Sequence, residues 1–102
     1  MADVALFITS TAQPGRRDEI LALYTEILAP RAEENEAQEV VVWCADQQDP
    51  DTFVLFEVYR DAEALGANAG AEWFAAYMQE AMPLLAGEPQ VTMATPVWST
   101  GI

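Results

Sequence analysis

Thr52-Phe-Val-Leu-Phe-Glu-Val-Tyr-Arg-Asp61 reads as a strand, apolar on both faces, that runs directly into a helix start at Asp61. Phe53, Leu55 and Tyr59 share one side with Glu57, and Val54, Phe56 and Val58 line the other. The preceding stretch, Val40-Val-Val-Trp-Cys-Ala45, repeats the pattern, with Val40, Val42 and Cys44 opposite Val41, Trp43 and Ala45. An antiparallel strand with one wet face would alternate apolar with polar residues. Strands that are apolar on both sides need cover on both sides.

Working outward, Val4 to Ser10 reads as a first strand and Gln13-Pro-Gly15 as a turn. A helix begins next, since Asp18 and Glu19 suit the positive end of a helix dipole. Ile20, Tyr24, Ile27, Leu28 and Arg31 recur at helical spacing, and Pro30 is expected to kink or close that helix. Glu33 to Glu39 reads as a solvated helix end and loop. The Asp-rich segment between the second and third strands reads as a hairpin connection, without the spacing or glycine of a calcium loop. Asp61 is an N-cap for a short helix from Ala62 to about Asn68, broken near Gly70. Trp73, Phe74, Tyr77, Met78, Ala81, Met82 and Leu85 form a second helical stripe that Pro83 limits to about Met82. Gln90 to about Trp98 is expected to be the last strand.

The order β-α-β-β-α-β, read with the right-handed crossover rule, predicts a ferredoxin-like α+β sandwich: a four-stranded antiparallel sheet with helices on one face, forming a single domain over residues 1–102. Helices on one side leave the other face bare. Four strands of about six residues make a face of roughly 400 Å² in projection. That matches the largest apolar patch a soluble monomer usually shows. Pairing of two such sheets is the simplest cover, so a homodimer through the open sheet face is expected.

Composition narrows the function. Half of the 102 residues are apolar, with three Trp, three Tyr and four Phe, which excludes a disordered chain. The formal net charge is −13, and the four cations are Arg16, Arg17, Arg31 and Arg60. Nucleic acid and anionic membranes select clusters of positive charge, so neither is an expected partner. There is no histidine, which removes Ser-His-Asp and Cys-His catalysis, His-ligated zinc and proximal-His haem from this chain. The one cysteine, Cys44, reads as a small buried apolar side chain. Met1-Ala-Asp-Val has neither basic residues nor an apolar h-region, so a cytoplasmic setting is expected.

Three stretches carry a family resemblance: Pro14-Gly-Arg-Arg-Asp-Glu19 opening the first helix, Phe53 to Asp61 leading into Ala64-Leu65, and the closing Pro89-Gln-Val with Pro96-Val97. Together they resemble the antibiotic biosynthesis monooxygenase domain family over residues 4 to 98. The resemblance implies a dimeric α+β barrel. It also implies oxidation of a quinol, anthrone or similar polyphenol by O₂ with no metal or flavin cofactor. A non-catalytic dimeric module that binds a small hydrophobic molecule or acts in stress response is the alternative. Relatives that degrade haem use a ligating histidine, which this chain lacks.

The resemblance further implies Asn68, Trp73 and Arg60 as candidate catalytic residues. In many members a histidine stands where this chain has Asn68. Asn68 reads equally as a polar cap at a helix break, and Arg60 as a surface partner of Asp61 or Glu63. Glu57, a carboxyl among apolar neighbours, is a candidate proton acceptor with a raised pKa, or a group hydrogen-bonded across the sheet. Tyr24, Trp43, Phe56, Tyr59, Phe74 and Tyr77 are candidates for the lining of a substrate pocket between sheet and helices. Arg16 and Arg17 read as solvated.

Overall fold

A computed structural model describes residues 2–101. Strands β1 (Val4–Thr11), β2 (Gln38–Ala45), β3 (Thr52–Tyr59) and β4 (Gln90–Ala94) form one antiparallel sheet in the order β2-β3-β1-β4. Helices α1 (Arg17–Leu23) and α2 (Ala29–Glu34) connect β1 to β2, and α3 (Ala62–Ala69) and α4 (Glu72–Ala81) connect β3 to β4. This is the ferredoxin-like α+β fold. No helix among the described residues is long and apolar enough to cross a membrane.

Alternation along the strands sorts side chains between the two faces. Ile8 pairs with Leu55, and Ser10 with Phe53, on the side that meets the helices. There Ile20, Tyr24 and Leu28 from the first helical limb and Tyr77 and Ala81 from α4 complete the larger core cluster. Val4, Leu6 and Tyr59 form a second, smaller one, covered by Ala64 and Leu65 of α3.

The opposite face stays open. Phe7 packs against Phe56 there, ring centroids 5.0 Å apart, yet Phe7 and Val42 each remain 45% exposed. The exposed apolar part of this face lies around Phe7, Val42 and Phe56, while Ala5 and Val58 beside them are buried. The other end is polar, with Thr11 paired to Thr52 and Thr9 to Gln90.

Turns follow from their residues. Gly15 sits at φ +77, where side chains with a Cβ are disfavoured, and its N–H donates to Asp51 Oδ1 at 2.9 Å. Asp61 caps α3 by accepting from Ala64 N–H at 2.8 Å. Gly70 ends α3 at φ −90, ψ 0, and α4 starts two residues later. Pro83 lies in a 3₁₀ turn, Met82–Leu84, that follows α4.

Four details depart from expectation. Pro30 does not close the first helix. The chain widens into a π-helical turn at Tyr24–Leu28, in which Ala29 N–H reaches Tyr24 C=O, and Pro30 occupies the first turn of α2. A proline in a regular α-helix leaves a carbonyl unpaired and clashes with it, and the wider turn accommodates both effects. β4 stops at Ala94 rather than Trp98. Its neighbour β1 pairs with it only as far as Ala5, and Pro96 has no N–H to continue a ladder. Cys44 is exposed, because it lies on the open side of the edge strand β2. Arg17 is not free in solvent: its Nη1 donates to the carbonyls of Asp46, Asp49 and Thr52 at 3.4, 3.1 and 3.0 Å, pinning the β2–β3 hairpin to α1.

Candidate functional site

A cavity of about 200 Å³ lies between the sheet and the helices. Its floor comes from β1 and β3, with Ile8, Ser10, Phe53, Leu55 and Glu57. Its roof comes from the π turn and α4, with Tyr24, Leu28, Phe74, Tyr77 and Met78. Tyr24 and Tyr77 meet edge to face at 6.1 Å, and Phe74 stands 6.4 Å from Tyr77. A smaller recess of about 20 Å³ adjoins it, sharing Tyr24, Leu28, Glu57 and Phe74 and adding Gln38, Asn68 and Trp73.

Glu57 stands where the two spaces meet. Alternation puts it on the helix side of β3, between Leu55 and Tyr59, so the register that buries those residues buries the carboxyl as well. Two bonds hold it. Tyr59 Oη donates to Glu57 Oε1 at 2.7 Å, and Gln38 Nε2 donates to the same oxygen at 3.0 Å. Tyr59 Oη in turn accepts from Gln38 Nε2 at 2.9 Å and from Asn68 Nδ2 at 3.0 Å. Its one proton and both acceptor positions are thereby used, and its proton points to Glu57. Oε1 is anchored, and Oε2 makes no hydrogen bond among the described residues.

Burial raises the Glu57 pKa above the ordinary carboxylate value, and the bonds from Tyr59 and Gln38 offset part of that rise. The Tyr77 hydroxyl is pushed up to about 12, first by burial and then by the nearby Glu57 charge. Tyr24 is raised further for the same two reasons, with the nearby Tyr77 adding to them. Both therefore stay protonated donors at neutral pH. The arrangement offers one carboxylate oxygen and two phenol hydroxyls to an occupant that an aromatic and aliphatic wall otherwise surrounds.

The candidate residues separate in space. Glu57, Tyr24, Phe74 and Tyr77 line the larger cavity, and Asn68 and Trp73 line the recess beside it. Asn68 and Trp73 sit on different helices, and the break at Gly70 brings both to one wall. The Arg31 guanidinium lies 5.8 Å from the Trp73 ring centroid. Tyr59 lines neither space. It is 1% exposed and stands behind Glu57 as the group that orients it.

Three candidates lie elsewhere. Phe56 is on the open face of the sheet. Trp43 stacks on Phe53 at 4.6 Å, with its Nε1 buried and unpartnered among the described residues. Arg60 is exposed at the end of β3, 3.6 Å from Asp61. A second, larger cleft of about 400 Å³ borders the open face, between Phe7, Phe56, Pro96 and Trp98. The titratable side chain lining it is the exposed Glu39, whereas the cavity under the helices holds the buried Glu57.

Sequence reasoning missed Gln38. It lies in the acidic run expected to be solvated, and strict alternation from Val40 and Val42 would place it on the open face. A β-bulge at Glu39 shifts the register, so Gln38 pairs with Tyr59 and Val40 with Val58. The extra residue turns Gln38 inward.

A helix-roofed cavity with one anchored carboxyl, on a ferredoxin-like sheet, defines the class: a small α+β domain with a lined internal cavity. The sequence profile of the antibiotic biosynthesis monooxygenase family matches residues 3–80, and the chain belongs to that family. Solved structures show the same fold. A provisionally assigned antibiotic biosynthesis monooxygenase from Chloroflexus aurantiacus is 24% identical, with 99% of each chain covered and a TM-score of 0.84. Another from Caulobacter crescentus is 18% identical over 95% of this chain and 92% of that one, with a TM-score of 0.88. A protein of unknown function from Nitrosomonas europaea is 23% identical over 98% and 94%, with a TM-score of 0.81. No curated protein matches the sequence.

Proposed function

We propose that this chain is a cofactor-independent monooxygenase that oxidises a quinol, anthrone or similar polyphenol with O₂. The observation that carries the proposal is Glu57: a buried carboxyl with one oxygen anchored and the other unbonded at an aromatic-lined cavity. A general base works best when its pKa approaches that of the acid it deprotonates, and burial moves Glu57 in that direction.

The electrons and atoms balance with O₂ as the only co-reactant. Glu57 Oε2 takes a proton from the substrate, a phenol or its keto tautomer with a ring CH₂. The resulting anion carries an electron pair at that ring carbon and gives it to O₂, forming a C–O bond. Loss of the second hydrogen from the same carbon, as the O–O bond breaks, yields C=O and hydroxide. Hydroxide and the proton held on Glu57 leave as water. Tyr24 and Tyr77, as protonated donors, are suited to the substrate oxygen on which negative charge develops. The apolar wall keeps water from that anion. Asn68 acts through Tyr59, and Trp73 closes the recess behind Glu57.

The working unit we propose is a homodimer paired through the open sheet faces, which covers Phe7, Val42 and Phe56. The direct test is O₂ uptake with a panel of hydroquinones and anthrones in chelator-treated buffer. Uptake is expected with wild type, falling by about a hundredfold or more in Glu57→Gln. It is also expected to fall in Asn68→Ala and Trp73→Phe. Ligand-induced melting shifts without O₂ uptake anywhere on the panel would instead assign the cavity to a binding module.

A further inference from the structure

Among the residues that line the 200 Å³ cavity, Val91 is the one on the solvent side. It is 58% exposed, while the others are buried or half-buried. The cavity therefore opens at β4, the edge strand, and Glu57 stands away from that mouth, deep beside Tyr24 and Tyr59. Register makes the mouth apolar. Val91 pairs with Ile8 and Met93 with Leu6, so both project to the helix side of the sheet. No helix covers them there, and Met93 is 64% exposed. A strip two residues long thus continues the cavity wall outward along β4.

Size limits what can sit inside. A dry protein cavity of about 150 Å³ takes one benzene ring. A space of about 200 Å³ filled to ordinary packing density holds one ring or two fused rings, and a third would reach out into the mouth beside Val91.

We infer that the ligand of this cavity is a one- or two-ring phenol with an apolar tail: the hydroxyl lies on Glu57, and the tail leaves past Val91 along Met93. This rests on the proposed function only in placing the ligand in this cavity. It requires no turnover. Within the substrate class proposed above, it favours tailed monocyclic and bicyclic quinols over tricyclic anthrones.

The test is equilibrium binding of three phenols to the full chain by calorimetry in O₂-free buffer: resorcinol, 4-hexylresorcinol and 2-hydroxyanthracene. The hexyl compound is expected to bind at least about tenfold tighter than resorcinol, because part of its chain leaves water on the β4 strip. The anthracene is expected to bind more weakly than the hexyl compound. Val91→Asp and Met93→Glu change exposed positions and leave the core intact, and each is expected to bring the hexyl-to-resorcinol ratio close to one. Val42→Asp, on the opposite face, is expected to keep the wild-type ratio.

Three results would overturn the inference: a wild-type ratio near one, a ratio that survives both β4 substitutions, or one lost in Val42→Asp instead. Absence of binding by all three probes would overturn it as well. Because O₂ is excluded from the binding experiment, failure of O₂ uptake and failure of tail recognition are separate outcomes.

Discussion

Glu57 carries the proposed chemistry at the level of single residues, and its burial leaves a signature in stability. Its folded pKa lies above the unfolded value, so the folded protein holds the proton more tightly. Its contribution to stability is therefore present below the ordinary carboxylate pKa of about 4.3 and is lost as pH rises through the folded value. Glu57→Gln keeps an oxygen for Tyr59 and Gln38 and removes the buried charge. We expect this variant to melt at the same or a higher temperature than wild type at pH 7, with the difference shrinking toward pH 4. A variant markedly less stable at pH 7 would mean that the ionised carboxylate is favourably bound after all. Wild-type oxidation should rise with pH as Glu57 ionises, so the acid limb of the rate profile should lie above the ordinary carboxylate range. Glu57 was legible as a buried acid because alternation in Thr52 to Tyr59 leaves it on the face of Phe53 and Leu55. Gln38 was not, since one bulged residue inverts the face that period two assigns to it.

Among the elements, the β2–β3 hairpin is tied to the first helix by a single side chain. Arg17 Nη1 shares its two hydrogens among three carbonyls of the hairpin, and Asp51 accepts from Gly15 on the other side. Hydrogen bonds from a charged donor contribute more than neutral ones, though partial exposure reduces the gain. Arg17→Met is expected to cost about 1–2 kcal/mol, read by urea denaturation, and to raise hydrogen exchange first in residues 46–52. Unaltered protection there would show that the aspartates alone hold the turn. They contribute locally: Asp46 accepts from the N–H groups of Gln48 and Asp49, and Asp49 from Asp51 N–H and Thr52 Oγ1. These bonds lower both carboxyl pKa values, chiefly through the backbone donors, so their stabilisation has the opposite sign to that of Glu57 and fades as pH falls. The strand and helix order was readable from apolar periodicity and from Gly70, Asp61 and Pro83. The π turn was not readable. Pro30 signals that a regular helix must yield, but whether it ends, kinks or widens depends on Tyr24 and Leu28 being held in the core.

For the whole molecule, the open sheet face sets the expected assembly. Phe7 and Val42 are nearly half exposed beside Phe56, and the Thr-rich end confines the apolar area to one part of the face. Sedimentation equilibrium at micromolar concentration should return twice the 11.2 kDa chain mass. Val42→Asp should lower it toward one chain, because two such carboxylates would be buried at the interface. A wild-type mass of one chain would remove the dimer from the proposal. The sequence by itself determined the fold, because alternation on both faces of two strands and two helical stripes admits few packings. It also named Glu57, Tyr24, Phe74 and Tyr77 as residues of the buried side. Only the tertiary structure decided which of them meet. Tyr59 turns away to hold Glu57, Trp43 turns to Phe53, and Asn68 and Trp73 converge across a helix break. These outcomes depend on a bulge, a π turn and the point at which β4 loses its partner. Periodicity reports which face a residue takes, whereas the closing of a cavity depends on where several elements stop.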